Sequence, residues 1–312
     1  MVIGTYCTGI YKSNYHTITT TKVPVFIKCN SEFKLENRII YIFPESKSCY
    51  DSHLSHFLSD TGAPSDVYDI GSPYGVHDHH HVREAVDMHY DSGSDCYVFR
   101  VRYDKGSYSR TDDRRKGAQF FTRLTGYHSG AVDVTLQYDV YFPSSLHWDT
   151  HGSYSNAGGK LPGLYGGNPQ CSGGRDTENC FSTRYMWRED GHGELYMYFP
   201  QSNYHQKDVS IERHGTYGAG IRTSAFQFKK GNWNTLKQRV HLNDVGHTNG
   251  FIQVDFNGHK LFTLHSVQLR KHSSVKIMGL FFSTFFGGHD SSWASQTDTY
   301  TLYRNFRITV NK

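Results

Sequence analysis

No stretch of this 312-residue chain approaches the roughly 18 consecutive apolar residues of a membrane-crossing helix, so no helical membrane partner or anchor is expected. Six cysteines, at positions 7, 29, 49, 96, 171 and 180, include no C-x-x-C pair, which argues against zinc ribbons and dithiol redox motifs. Blocks of about five or six like charges are missing, as are a basic stripe and any nucleic-acid motif, so nucleic acid is not an expected partner. A phosphate loop is also missing: the glycine-rich stretch around Lys160 continues with Leu161 and Pro162 instead of Ser or Thr. The opening residues, MVIGTYCTGIYKSN, lack the charged and apolar regions of a signal peptide. Methionine is scarce at 5 and charged residues supply 20%, and no internal repeat of fixed period stands out.

Aromatic residues fill the gap. There are 23 Tyr, 20 Phe and 4 Trp, beside 30 Gly, which favours short strands and many turns over helical bundles. The formal charge is +4 with 20 His counted neutral, a mild bias that suits an anionic partner without identifying one.

Residues 1–84 form an irregular, His- and Cys-containing segment of unassigned function, and its last part, DTGAPSDVYDIGSPYGVHDHHH, reads as a loop. Residues 85–312 alternate with period two and form the second domain. Strands are expected at Tyr97–Tyr103, Val132–Phe142, Phe181–Arg188, Glu194–Phe199, Leu236–Leu242, Phe251–Phe256, Lys260–Leu264, Val275–Phe286 and Thr299–Val310. Asn257-Gly258 is a two-residue hairpin signal. So many antiparallel strands with few helix candidates point to an all-β jelly roll, a two-sheet antiparallel β-sandwich.

The richest stretch is Gly158 to Pro200. In FSTRYMWR, alternation puts Ser182, Arg184, Met186 and Arg188 on one face and Phe181, Thr183, Tyr185 and Trp187 on the other. In ELYMYF, Glu194, Tyr196 and Tyr198 oppose Leu195, Met197 and Phe199. Burying the two apolar faces together leaves Ser182, Arg184, Tyr196 and Tyr198 side by side on an open surface. Such a face suits an anionic sugar, because rings stack on pyranoses and a guanidinium forks onto a carboxylate. The plain alternative is a half-exposed sheet surface that carries these residues for their β-propensity. Lys160 lies among five glycines in GGKLPGLYGG, read here as a loop that lets a ligand approach closely; a simple turn with a solvated lysine is the alternative. Cys171 and Cys180 bracket CSGGRDTENC, which can close as a local disulfide if the geometry allows.

Taken together, GGKLPGLYGG, CFSTRYMWR and GHGELYMYF resemble polysaccharide lyase family 14, which includes the alginate and glucuronan lyases of chlorella viruses that degrade algal cell walls. The FFSTFFGG strand and the tail TYTLYRNFRITVNK resemble that family's closing strands, so the resemblance covers about residues 85–312. It implies cleavage of uronic-acid polymers, alginate or polyglucuronate, by β-elimination and without a cofactor or metal. Lys160 and Arg184 match the cationic positions that neutralise the C6 carboxylate. Tyr196 and Tyr198 match the tyrosine pair, with Tyr198 as principal base or acid. The neighbouring cations are expected to lower the tyrosine pKa from about 10 by favouring phenolate. Ser182 matches the family serine and is assigned a hydrogen bond to substrate. Glu194 and His192 join it as substrate-binding candidates, although His192 equally suits a plain turn. Action outside the cytoplasm, including from a virion, and a monomeric state complete the expectation.

Other signals are weaker. His77, Asp78, His79, His80 and His81 form a run that could hold metal, but no second pair lies at zinc spacing. Asp87, Asp91 and Asp95 recur every four residues without the oxygen pattern of a calcium loop. Cys180 would need a histidine partner to act as a nucleophile. RTDDRRK at 110–116 reads as a solvated loop. The rival functions are a non-catalytic anionic-carbohydrate-binding jelly roll, a virion structural protein and a glycoside hydrolase. The hydrolase is disfavoured because Glu194 is the only acid on the key face.

Overall fold

Alternation of apolar and polar residues is the main cause of this fold, and it yields two sheets packed face to face. The computed structural model describes residues 38–41, 85–111, 114–124, 129–148, 158–167, 171–174, 177–200, 210–214, 217–288 and 290–311. The strands, in chain order, begin with β1 (Arg38–Tyr41), β2 (Val86–Asp91), β3 (Cys96–Tyr103), β4 (Ala118–Phe121) and β5 (Asp133–Tyr141). The central group is β6 (Gly159–Gly167), β7 (Cys180–Trp187), β8 (His192–Tyr198), β9 (Ser210–His214) and β10 (Tyr217–Gln227). The last five are β11 (Trp233–His241), β12 (Gly250–Phe256), β13 (His259–Val267), β14 (Ile277–Thr284) and β15 (Thr299–Val310). Between the strands the described residues include short 3-10 turns such as Glu189–Gly191 and Ser291–Trp293.

One sheet of eight strands runs β13-β12-β11-β5-β15-β3-β2, with β1 also paired to β15. The other has seven, in the order β4-β14-β6-β7-β8-β10-β9, and every recorded pairing in both is antiparallel. This is the all-β sandwich expected from the sequence. The nine strands read from alternation are all present, with ends displaced by a few residues at most. Asn257 (φ 49°) and Gly258 (φ 82°) turn the β12–β13 hairpin in the left-handed region, as that dipeptide favours. β1 lies within residues 1–84; the HDHHH run and Cys7, Cys29 and Cys49 lie outside the described residues.

The core lies between the sheets. Phe181, Tyr185 and Trp187 of β7 and Leu195 and Met197 of β8 bury against Val134, Leu136, Tyr138 and Val140 of β5 and Leu236 and Val240 of β11. Polar atoms that enter this core find partners. The Thr183 hydroxyl donates to Gln238 Oε1 at 2.7 Å, and Gln238 returns a bond to the Thr183 carbonyl at 2.9 Å, linking the sheets. Tyr103, Thr284, Thr301 and Tyr303 share a second buried hydroxyl network.

GGKLPGLYGG is the main local correction, because most of it is a strand in mid-sheet rather than a loop. Its glycines serve close packing between neighbouring strands. A Cβ at Gly163 would lie 2.1 Å from the Thr183 carbonyl oxygen and 2.5 Å from Arg184 Cα, so any larger residue would push β6 off β7. Pro162, which lacks an N–H, sits where the β6–β7 register shifts, and its carbonyl accepts the Tyr138 hydroxyl at 2.9 Å.

Candidate active site

The antiparallel register assembles the site on the outer face of the seven-stranded sheet. Across β7 and β8, Ser182 pairs with Tyr198, Arg184 with Tyr196, and Met186 with Glu194. Lys160 of β6 pairs with Met186 from the other side. Directly opposed residues share a face, so Lys160, Arg184, Tyr196 and Tyr198 come together as one group. His192 starts β8 on the same face by alternation, at its exposed end.

This face is not open. Ser182, Arg184, Tyr196 and Tyr198 are all buried, which corrects the expectation of an exposed surface. Part of the covering comes from the segment closed by the Cys171–Cys180 disulfide, which the structure forms with a Cα separation of 5.6 Å. Both half-cystines pack with Met186, Tyr196 and Tyr198. The bond also removes Cys180 from consideration as a nucleophile. Ser182 is fully buried and donates to the Cys171 carbonyl at 2.8 Å, so its hydroxyl proton holds this segment.

The cations differ in their partners. Arg188 places Nε and Nη2 on Glu194 Oε1 at 2.9 and 2.6 Å, so Glu194, fully buried, neutralises that guanidinium. Arg184 is only 2% exposed, yet no carboxylate among the described residues pairs with it. Its Nη1 donates to Ser283 Oγ at 3.0 Å, its plane lies over Phe281 with Cζ 4.4 Å from the ring centroid, and its buried Nε has no partner. Ser283 in turn donates to Gln119 Oε1 at 3.2 Å. A buried guanidinium without an anion is costly unless an anionic group arrives from outside.

Lys160 Nζ lies 3.3 Å from the centroid of the Tyr196 ring and touches the Met186 sulfur. Burial drives its pKa well below the ordinary lysine value, Arg184 and Arg188 add repulsion, and Glu194 opposes them only in part. The Tyr196 phenol moves the other way. Burial and its hydrogen-bonded neighbour Tyr198 raise its pKa, outweighing the lowering by Arg184 and Arg188. Desolvation therefore reverses the sequence-based expectation that the cations would make Tyr196 more acidic. The two tyrosine rings meet edge to face, with centroids 5.8 Å apart. Space for that packing comes from β10, where a Cβ on Gly218 would come within 2.9 Å of Tyr198 and 3.0 Å of Tyr196.

Ser283 and Gln119 were not among the sequence candidates. Alternation within the strand at Val275–Phe286 would have put Ser283 on the outer face, but only the strand order reveals that this face borders Arg184. Among the described residues no cluster of His, Cys, Asp or Glu has the makings of a metal centre. Asp87 pairs with Arg100 and Arg102, Asp91 accepts from Trp233 at 3.2 Å, and Asp95 accepts from the Tyr90 hydroxyl. In the 110–116 stretch, Arg115 pairs with Asp104 and Lys116 is buried.

The fold and this covered sheet face of cations and phenols, with no carboxylate on Arg184 among the described residues, suit a protein that handles an anionic ligand, and comparison with known proteins identifies the family. The model of the polysaccharide lyase 14 family matches residues 91–306, and the chain belongs to that family. It is 37% identical to the marine PL-14 alginate lyase from Aplysia kurodai, with a TM-score of 0.62 over 73% of this chain and 87% of that one. An alginate lyase from Chlorella virus shares the fold at 22% identity, with a TM-score of 0.57 over 72% of this chain and 88% of its own. Exolysin of Paramecium bursaria Chlorella virus 1 is 27% identical over 221 residues, 66% of this chain. The match spans only 33% of Exolysin's length.

Proposed function

We propose that this chain cleaves uronic-acid polysaccharides of the alginate and polyglucuronate kind by β-elimination on the Lys160–Arg184–Tyr196–Tyr198 face. The observation that carries this reading is the buried Arg184, whose only hydrogen-bond partner among the described residues is the Ser283 hydroxyl. A uronate C6 carboxylate supplies the missing anion, and its neutralisation acidifies the C5 proton. Lys160 is the base in this scheme. Its amine, with pKa driven down by burial, is available uncharged far below the ordinary lysine range and can accept that proton. The tyrosine pair is the acid. Tyr196 keeps its proton because burial raises its pKa, and Tyr198 beside it delivers a proton to the departing O4. Electrons from the C5–H bond form the C4–C5 double bond as the C4–O4 bond breaks. Glu194 serves by fixing Arg188, Ser182 by fixing the disulfide segment, and His192 marks the exposed end where the polymer enters.

The family membership and the similarity to alginate lyases support this substrate class. The reading extends to a monomer that works outside the cytoplasm, on cell-wall polymers such as those of algae and including delivery with a virion. The test is incubation with alginate and with polyglucuronate while ultraviolet absorbance of the unsaturated uronate is followed. Absorbance rising together with new reducing ends is expected. Reducing ends without absorbance would mean hydrolysis, and binding without cleavage of any uronan would mean a carbohydrate-binding module.

A further inference from the structure

The chemistry proposed above gives the disulfide-closed segment no part in proton transfer, yet two of its backbone groups reach into that site. The Cys171 carbonyl takes the Ser182 hydroxyl at 2.8 Å, and the Gly174 N–H donates to the Tyr198 phenol oxygen at 3.3 Å. At the far end, Glu178 pairs with Lys271, on the turn that leads from β13 toward β14. Between Cys171 and Gly174 the chain reads Ser172-Gly173, with no apolar side chain to pack against the tyrosines. The cystine is therefore the apolar anchor of this limb, with Cys171 fully buried beside Tyr196 and Tyr198. Closing the ring across nine positions also removes much of the loop's freedom.

We infer that the Cys171–Cys180 loop is a redox-sensitive strap that positions Tyr198 for proton delivery, so that lyase turnover depends on the oxidation state of the pair. A dithiol opens it by exchange: two electrons and two protons pass to the cystine, Cys171 and Cys180 become thiols, and the reductant becomes a cyclic disulfide. With the anchor gone, the Gly174 amide leaves Tyr198 and the Cys171 carbonyl leaves Ser182. The carboxylate clamp at Arg184, bonded to Ser283 in the sheet, stays in place. The strap thus acts on turnover more than on substrate binding, and the inference rests on the lyase reading of the same face.

The test uses the whole oxidised chain. Dithiothreitol opens the bond, mass measurement after alkylation verifies both thiols, and circular dichroism checks that the sheets persist. On alginate, kcat is expected to fall about tenfold or more, with KM within about twofold, and to recover when an unalkylated sample is reoxidised. Carbon-13 labelling of the tyrosine Cζ atoms gives a second readout that needs no activity. The resonance that disappears in Tyr198→Phe is expected to move on reduction, while that of Tyr138, bonded to the Pro162 carbonyl in the core, stays. An open disulfide with unchanged kcat and an unmoved Tyr198 resonance would overturn the strap. If reduction melts the sheets, Ser182→Ala releases the Cys171 carbonyl with the cystine intact; a kcat lowered severalfold with a moved Tyr198 resonance supports the strap, and an unchanged kcat with an unmoved resonance overturns it. Should the oxidised protein cleave no uronan, the lyase reading fails, and the Tyr198 resonance still decides whether the loop holds that side chain.

Discussion

The two outer faces of this sandwich carry the same kinds of residue and treat them in opposite ways. On the eight-stranded sheet, Arg239 meets Asp133 at 2.7 Å, Arg304 meets Asp139 at 3.2 Å, and Arg100 and Arg102 share Asp87. Each of these guanidiniums is partly exposed and has a carboxylate. On the seven-stranded sheet, Arg188 has Glu194, but Arg184 and Lys160 lie against aromatic rings, and Arg184 is buried with no carboxylate partner among the described residues. A cation matched and wetted is a surface device of modest worth. A cation desolvated and unmatched costs stability, and in a folded protein that cost marks a place built for something else.

The largest effect is expected at Lys160. Lys160→Met keeps the length and apolar stem of the side chain while removing the amine, so turnover should fall by roughly a hundred- to ten-thousand-fold, the range for a lost acid–base group. The melting temperature should rise or hold steady, since a desolvated amine repelled by Arg184 and Arg188 has been removed. Parallel measurement of kcat and thermal unfolding checks both signs. A variant that loses stability along with activity would break the contrast between the faces, because it would make Lys160 a structural cation like Arg239. In the native protein the lysine also sets the direction of the pH profile. kcat/KM should climb as pH rises through the lowered Lys160 pKa, on a limb well below the ordinary lysine value of about 10.5.

The sandwich itself was legible in the sequence because alternation is a local signal. Nine strands could be read from it, and so could the two faces of β7 and β8, since residues two apart share a side whatever the partner strands are. Three of the six strands passed over share a different trait. β6 is crowded with glycine and interrupted by Pro162, β4 has only four residues, and β10 carries glycines where its neighbours carry Tyr196 and Tyr198. In each the residues answer to a neighbouring strand rather than to the pleat, and a single strand does not announce its neighbour. Burial of the site was hidden for the same reason, because part of the cover comes from Cys171 and the disulfide-closed stretch ahead of β7. That burial decides the sign of the Tyr196 shift. Counting adjacent cations predicts a more acidic phenol; only the packing shows desolvation winning.

A middle-sized effect is expected where the two kinds of face differ by one hydrogen bond. Among the described residues Ser283 is the one hydrogen-bond partner of the Arg184 guanidinium, and Gln119 steadies Ser283. Ser283→Ala leaves the charge and the Phe281 stacking in place but lets the fork rotate. The expected cost is about tenfold in kcat/KM, in line with one hydrogen bond to a charged group, with Ser283→Thr restoring most of it. Steady-state kinetics on alginate decide the matter. If Ser283→Ala matches the native enzyme, Phe281 alone orients Arg184, and the Ser283–Gln119 pair belongs to sheet packing.

The smallest effect is expected on the opposite face, and it completes the comparison. Burial works to raise the Asp133 pKa, but Arg239, Asn311 and His241 bond the carboxylate and together hold it below the usual aspartate value. Because the folded pKa is the depressed one, these bonds stabilise the protein above the unfolded value of about 3.9 and cease to do so as pH falls through the folded value. Arg239→Ala should therefore cost about 1 kcal/mol at neutral pH, limited by the exposure of the guanidinium and by the two partners that remain. The difference from the native melting temperature should shrink below about pH 4 and in high salt, with turnover on alginate unchanged throughout. Arg184→Ala should give the inverse pattern, losing turnover at every pH while relieving the sheet of an unmatched charge. Melting curves across pH, taken beside initial rates for both variants, test whether a carboxylate partner is what separates a structural arginine from a functional one in this fold. If Arg184→Ala destabilises the sheet as a lost ion pair would, the buried guanidinium is a packing element and the site must be sought elsewhere on that face.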